Sequence, residues 1–548
     1  MRRTTLLWTL FPLGAALAVA AGAGGCSPEE RDFNAGAGAA GGGTSCEPGV
    51  EVPCYEGPEG TEDVGLCQGG TTRCNEAGDG YGACEGQVLP QAEACATADD
   101  EDCDGAADPC PLTYLWGSAP GVVEDNNVAT AVAAGGDGSV IVAGELDGTI
   151  DFGQGPLTSA GSNDAFVAKL DAATGALRWA KRFGDDQNQI ATSVAGDAAG
   201  NAYVAMRFSG TVNLGGSFIY SGTDDALVAK LDPGGSPIWA IPLAGGAGSQ
   251  EVTAVAATPE GDVLVAGTFS ESMVAGPYIL GASVNGRDVF ALRLDTNGSV
   301  IWATVAASGT YPDVSAVALG PDGSLLVAGG YDGTLALGNL SATSVAQQDA
   351  YIFKLDGAAG APLWLQGFGG DGEDHATGVA VDSAGAIVVA GTFSQQATFG
   401  GETLITPSEE SFFLARLDAA GAVTAARQLG AGFGGTDRMS AAFDSQDNLV
   451  LAGYFGGTLT FGGDTFTGAG AGFGMVDGFV AKLDRTGAHI ASRQIGNDQI
   501  QIFSSVAVDA ADRIFAAGAT LGPLDLGGGP IGPADVAVAT PIIGAYSP

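Results

Sequence analysis

One string keeps returning in this chain, and it constrains the fold more than any other feature. Residues 164–183 read DAFVAKLDAATGALRWAKRF. The core of that string recurs as Lys169-Leu170-Asp171, Lys230-Leu231-Asp232, Arg293-Leu294-Asp295, Lys354-Leu355-Asp356, Arg416-Leu417-Asp418 and Lys482-Leu483-Asp484, spaced 61, 63, 61, 62 and 66 residues apart. A fixed period of this length means that one supersecondary unit is copied along the chain. A second marker, Val142-Ala143-Gly144, returns in modified form up to Ala516-Ala517-Gly518 and brings the number of units to seven.

Each second marker follows a turn such as Asp137-Gly138 or Pro321-Asp322-Gly323, which joins it to an earlier strand. Four strands per unit result, and in the second unit they are expected at 191–195, 202–208, 226–231 and 237–242. Runs such as 140–143, 263–266 and 387–390 are continuously apolar rather than alternating, so both of their faces must be covered. Radially stacked blades provide that cover. The expected fold is all-β, a seven-bladed β-propeller preceded by a small disulfide-rich module. A β-solenoid, the other repeat architecture, normally uses much shorter units. A lone piece at 113–116, ending in Trp116, matches the outer strands that carry Trp179, Trp239, Trp302 and Trp364, while the last unit has no such strand of its own. The early piece is therefore expected to complete the last blade and seal the ring.

The N-terminus reads as a secretory signal, with Arg2 and Arg3, an apolar run, and small residues up to Cys26. Residues 23–26, AGGC, resemble a bacterial lipoprotein processing site. That resemblance implies removal of residues 1–25, lipidation of Cys26, and, with Ser27 following, anchorage in the outer membrane. Ordinary cleavage that leaves Cys26 unmodified is the alternative. Residues 26–45 form a Gly- and Ala-rich tether. Residues 46–110 hold the other eight cysteines, an even set suited to disulfides in an extracytoplasmic module with little core of its own. Residues 111–548 are the propeller.

The charge is strongly one-sided, with 63 acidic and 20 basic residues and a formal net charge of -43. That disfavours nucleic acid and favours cations or basic partners. The densest carboxylates are Asp99, Asp100, Asp102, Asp104 and Asp108 around Gly105, and an alternating set of this kind suits calcium. Residues 84–105 resemble a Cys-rich motif common in myxobacterial surface proteins, a resemblance that implies metal binding, with Glu101 interposed in its acidic stretch. A solvated acidic turn is the competing reading. The propeller repeats, through Gly200-Asn201-Ala202-Tyr203-Val204-Ala205, the Phe152-Gly153, Phe399-Gly400 and Phe461-Gly462 turns and the DAFVAKLD strand, resemble the SBBP-type repeat of bacterial surface proteins. This implies a fold and an extracytoplasmic setting and no activity. Residues 168–179 also resemble the tryptophan-docking motif of quinoprotein dehydrogenases. The adjacent cysteine pair of those enzymes is missing from this propeller, Trp gives way at Thr424 and Ile490, and no organic cofactor is expected.

In such blades the loops entering the first and third strands share one face. Asp185 and Asp186, and Asp371, Glu373 and Asp374, are the binding candidates there. Glu124, Asp125, Glu251, Asp313, Asp437 and Asp498 lie in the other loops, and Asp164, Asp225, Asp288, Asp349, Asp477 and Asp535 near the third strands. Turn chemistry alone also selects Asp and Gly. With only His375 and His489, histidine-based metal sites and Ser-His-Asp triads are nearly excluded. The expected protein is a lipid-anchored, outer-membrane binding or adhesion protein, monomeric, taking a cationic, protein or glycan ligand on its acidic face. An extracytoplasmic polysaccharide hydrolase or lyase is the alternative, and a rigid spacer a third. Two converging acids beside an aromatic ring would favour the enzyme, a shallow symmetric acidic ring the binder.

Overall fold

The computed structural model describes residues 46–58, 60–91, 103, 112–121, 126–215, 217–219, 224–245, 248–281, 286–308, 310–406, 410–431, 438–468, 475–497, 499–532 and 538–547. Cys26 and Asp99, Asp100, Asp102, Asp104 and Asp108 lie outside these residues. The chain divides into two compact units, Met1–Asp108 and Pro109–Pro548.

In the first unit Glu51–Cys54 pairs antiparallel with Gly70–Arg73. Three disulfides staple it, Cys46–Cys74, Cys54–Cys84 and Cys67–Cys103. Cys95 and Cys110 are outside the described residues.

The second unit is a ring of seven blades. With strands lettered a to d from the axis outwards, blade 1 is Asn127–Gly135, Ser139–Leu146, Asp164–Asp171 and Leu177–Phe183, and blade 2 is Gln189–Gly196, Ala202–Phe208, Asp225–Leu231 and Pro237–Leu243. Blade 3 begins at Gln250–Ala257, blade 4 at Ala316–Leu319, blade 5 at Asp374–Val381, blade 6 at Met439–Phe443 and blade 7 at Gln501–Val508. Every a strand touches the a strands of both neighbours, so seven of them close around the axis. Blade 7 takes its d strand from the start of the unit. Tyr114–Ser118 pairs with Ala539–Tyr546, with Trp116 opposite Ala545, and this is the expected seal. Two outer edges are covered at one end, since a hairpin of blade 4 pairs with Ala306, Ala307 and Ser308 at the end of strand d of blade 3 and a hairpin of blade 5 with Gly369 and Gly370 at the end of strand d of blade 4.

The b strands explain why the ring holds. Val140, Ile141, Val142 and Ala143 are all fully buried. Ile141 and Ala143 pack toward Val204 and Met206 of blade 2, while Val140 and Val142 pack toward Phe515 and Ile543 of blade 7. One strand thus serves two cores through its two faces.

The recurring string is structural. The buried Lys169 ammonium meets Asp137 of the a–b turn at 2.8 Å, and Arg293–Asp262, Lys354–Asp322 and Lys482–Asp444 repeat the pair at 2.7, 2.9 and 3.0 Å. The Asp of the string caps the c–d turn, as Asp232 does by accepting the Gly234 and Ser236 N–H groups. Each tryptophan docks on the next blade: the indole N–H of Trp179 donates to Pro233 O at 2.8 Å, Trp239 to Thr296 O at 3.0 Å and Trp302 to Gly357 O at 2.9 Å. Under Trp302 lies Gly360, with φ +67°, where a Cβ would come within 2.5 Å of the ring.

Register corrects two expectations. Ala425 and Ala491, not Thr424 and Ile490, stand opposite Arg416 and Lys482, where Trp stands opposite Lys or Arg in blades 1 to 4. Asp535 is outside the described residues, and Thr540 occupies the register of Asp164, since Thr540 faces Thr520 as Asp164 faces Leu146.

Candidate functional site

On or next to each a strand stands a hydroxyl, Thr130, Thr192, Thr253, Ser315, Thr377, Ser440 and Ser504, and these line a central channel with a cavity of about 240 Å³. Several of these side chains tie blade to blade. Thr130 Oγ1 donates to Ala191 O at 2.6 Å, Thr192 Oγ1 to Val252 O at 2.5 Å, and Ser440 Oγ accepts the Val506 N–H at 3.2 Å. In blades 1, 2, 3, 5 and 7 the hydroxyl residue sits at a β-bulge, which turns it out of the ladder toward the axis.

Two residues before each hydroxyl, at the loop end of the a strand, comes the lip of the channel: Val128, Ile190, Glu251, Asp313, His375, Arg438 and Ile502. All seven are partly or fully exposed. Blades 7, 1 and 2 contribute the apolar arc Ile502, Val128 and Ile190, and blades 3 to 6 the charged arc Glu251, Asp313, His375 and Arg438. The lip is two-sided, not a symmetric acidic ring.

Within the charged arc a cavity of about 230 Å³ is lined by Gln348, Glu373, His375, Thr377, Thr392, Glu410 and Arg438. Thr377 and Arg438 line the channel as well, so the two spaces meet. Asp313 fixes one wall. His375 Nε2 meets Asp313 Oδ1 at 2.7 Å, Gln348 Nε2 donates to Asp313 Oδ2 at 3.0 Å, and Tyr351 Oη donates to Asp313 O at 2.7 Å. Burial pushes the Asp313 carboxyl up, but His375, the Gly330 N–H and Ser315 outweigh it and hold it below the usual range. Ser315 Oγ lies 3.2 Å from the same His375 Nε2. A catalytic triad needs the acid and the hydroxyl on opposite ring nitrogens, and here both meet one. The cavity holds two carboxylates, Glu373 and Glu410, and no Phe, Tyr or Trp among its described lining residues, so it matches neither discriminating pattern in full.

The other candidates are spread around the ring. Asp371 and Glu373 are exposed in the loop entering blade 5, and Asp371 accepts from Gln396 at 3.1 Å. Asp185 and Asp186 enter blade 2, three blades away. Asp186 is exposed, whereas Asp185 caps its own loop by accepting from Gln187 N, Gln189 Nε2 and Thr211 N at 2.9, 2.8 and 2.6 Å. Burial raises its pKa, but these donors more than offset that and hold it low. The c-strand aspartates Asp164, Asp225, Asp288, Asp349 and Asp477 are at most 2% exposed and do not belong to any surface.

Asp374 departs most from its expected place. It is the first residue of strand a in blade 5, only 1% exposed, at the register of Asn127, Gln189, Gln250 and Gln501. Its Oδ2 accepts the Gly370 N–H at 2.9 Å, while its Oδ1 meets no donor among the described residues. Burial, joined by the charge of Asp349, pushes its pKa up to about 8. Asp349 itself, buried beside Gly369 and Tyr331, is pushed up to about 6, again mainly by burial. Asp374 is thus a carboxyl in an amide's seat, behind the surface that Glu373 presents.

Comparison with known proteins adds little to this. No family model matches the chain. An uncharacterized WD repeat-containing protein of Acanthamoeba polyphaga mimivirus is 24% identical over 373 residues, 55% of this chain, and the match spans 26% of that relative's length. The Neurospora crassa Pan2 WD40 domain aligns over 80% of this chain and 96% of its own at 12% identity and a TM-score of 0.41. BamB from Moraxella catarrhalis aligns over 80% and 99% at 12% identity and a TM-score of 0.32.

Proposed function

We propose that this chain is a binding protein of the cell surface whose propeller engages a protein partner at the channel lip. The observation that carries this reading is the division of the lip into an apolar arc and a charged arc, with the Glu373–Arg438 cavity opening into the charged one. A partner that lays an apolar side chain against Ile502, Val128 and Ile190 and a polar or cationic group toward Glu373 would be read in one orientation only. Lip-to-partner contacts of this kind supply specificity through charge complementarity more than through area.

The rest of the proposal follows the sequence. The propeller is held at the outer membrane by a lipid on Cys26. Calcium belongs to Asp99, Asp100, Asp102, Asp104 and Asp108 in the small module, because alternate carboxylates before Gly105 offer the oxygens that calcium takes. Among the described residues, no group of three His, Cys, Asp or Glu side chains is arranged to hold a metal.

The test is site-directed photocrosslinking on cells. A photoreactive residue at Glu373 should give a discrete protein adduct that one at Ser383, in an exposed a–b turn on the opposite face of blade 5, does not. The same adducts from both positions, or none from Glu373, would refute a lip-centred partner.

A further inference from the structure

The junction between blades 5 and 6 breaks the repeat in three ways. First, Ala425 replaces the docking tryptophan and is exposed. Secondly, Arg416 stands at the register of Lys169, Lys230, Arg293, Lys354 and Lys482, each of which pairs with the carboxylate of its own a–b turn. Arg416 leaves its counterpart, Asp382, and reaches across to blade 6, where it donates to Arg485 O and, at 3.3 Å, to Asp484 O. Thirdly, Arg427, two residues beyond Ala425 on the same strand face, converges on Arg416. A Cβ on Gly487 would lie 3.6 Å from Arg416 Nε and Nη2 and 3.9 Å from Arg427 Cζ. Two guanidinium groups therefore border the spot that a tryptophan ring covers in the earlier junctions.

This arrangement is costly as it stands. Arg427 Nη2 is buried and meets no acceptor among the described residues. Neither guanidinium comes within 4 Å of a carboxylate oxygen among those residues. Asp484 and Asp382 lie near enough to be felt, but Asp484 Oδ1 is taken by the Thr486 and Ala488 N–H groups and Asp382 Oδ1 by those of Ala384 and Ala386. Burial lowers the pKa of both arginines, and for Arg427 the charge of Arg416 adds to it. A buried cationic donor without an acceptor, beside a second cation, suits an anionic partner. Arg416 also lines a cavity of about 140 Å³ with Asp418, Thr424 and Phe443.

We infer that Arg416 and Arg427 form an anion site at the blade 5–6 junction that takes a tetrahedral oxyanion, phosphate or sulfate. Planar guanidinium forks suit such an ion, and exposed Ala425 leaves the approach open to the free ion or to an ester of it on a saccharide. Arg416 keeps its bonds to the Arg485 and Asp484 carbonyls and offers its remaining N–H groups beside those of Arg427. The site lies apart from the channel lip and does not depend on the reading of that lip.

The experiment is isothermal titration of the propeller-bearing chain, residues 27–548, at constant ionic strength. The titrants are sodium phosphate, sodium sulfate, glucose 6-phosphate and glucose 6-sulfate. Saturable one-to-one binding of at least one is expected, with affinity reduced at least tenfold in Arg427→Met and in Ala425→Trp. Binding by the inorganic ions alone identifies the free ion as the source, and binding by the esters identifies a substituted saccharide. Arg427→Lys keeps the charge and loses the fork, and a severalfold loss is expected there even if Arg427→Met folds poorly. No saturable binding of any of the four, or wild-type affinity in Arg427→Lys and Ala425→Trp, would overturn the inference.

Discussion

Replacing Asp374 by Asn should stabilise the propeller, and the gain should depend on pH in a way that few substitutions can imitate. Asp374 has a folded pKa of about 8, against about 3.9 for an unfolded chain. Between those values the folded state keeps the proton and the unfolded state releases it. Wild-type stability therefore falls as pH rises through this window, and above the folded value the loss is complete. At about 1.4 kcal/mol per pH unit, the loss from pH 4 to pH 7 is about 4 kcal/mol. Asn cannot ionise, and Asn127 already fills the same register in blade 1, donating to Thr149 O at 3.0 Å. Chemical denaturation of both proteins from pH 4 to pH 9 gives the difference directly. It should be near zero at pH 4, rise steadily, and level off above about pH 8. A difference that stays flat across this range, or a variant less stable at pH 7, would refute the claim that Asp374 is buried without a counter-charge.

Two further predictions concern the ring. Trp302→Ala removes a side chain that is 5% exposed together with its hydrogen bond to Gly357, and should cost about 3–5 kcal/mol by denaturant unfolding. Deleting residues 111–118 strips strand d from blade 7 and should lower the calorimetric melting temperature of the propeller sharply, and an unchanged melt would mean that the seal lies elsewhere. Cys26→Ser should release the protein from membranes on fractionation, and unchanged partitioning would remove the lipid anchor.

The architecture was legible because the repeat is written in residues that the fold uses directly. The Lys of the string is an ion-pair partner, its Asp a turn cap, and the apolar run a strand facing two cores. Phase was legible too, since Trp116 could belong only to a blade lacking a d strand. Counting along strand d failed by one residue at Thr424 and Ile490, because the c–d turns differ in length between blades: the nine-residue offset from Lys230 to Trp239 and from Arg293 to Trp302, carried to Arg416 and Lys482, gives Ala425 and Ala491, as the pairing does. The lip was not legible. Val128, Ile190, Ile502 and Arg438 obey no motif, and the signal that could have found them was their fixed offset from the recurring hydroxyl. Asp374 was misplaced for a related reason: beside Asp371 and Glu373 it looks like part of an acidic loop, and only alignment with Gln189, Gln250 and Gln501 shows that it begins a strand.

The pairing of Tyr114–Ser118 with Ala539–Tyr546 also orders events in time. A ribosome delivers the first of these strands early and its partner more than four hundred residues later, so during all of that synthesis the first strand has no sheet to join. Blades 1 to 6 can form as they emerge, because each owns its four strands. The channel lip needs all seven blades around one axis, so it comes into being only at the last step, and a chain interrupted before residue 539 would present blades without a mouth.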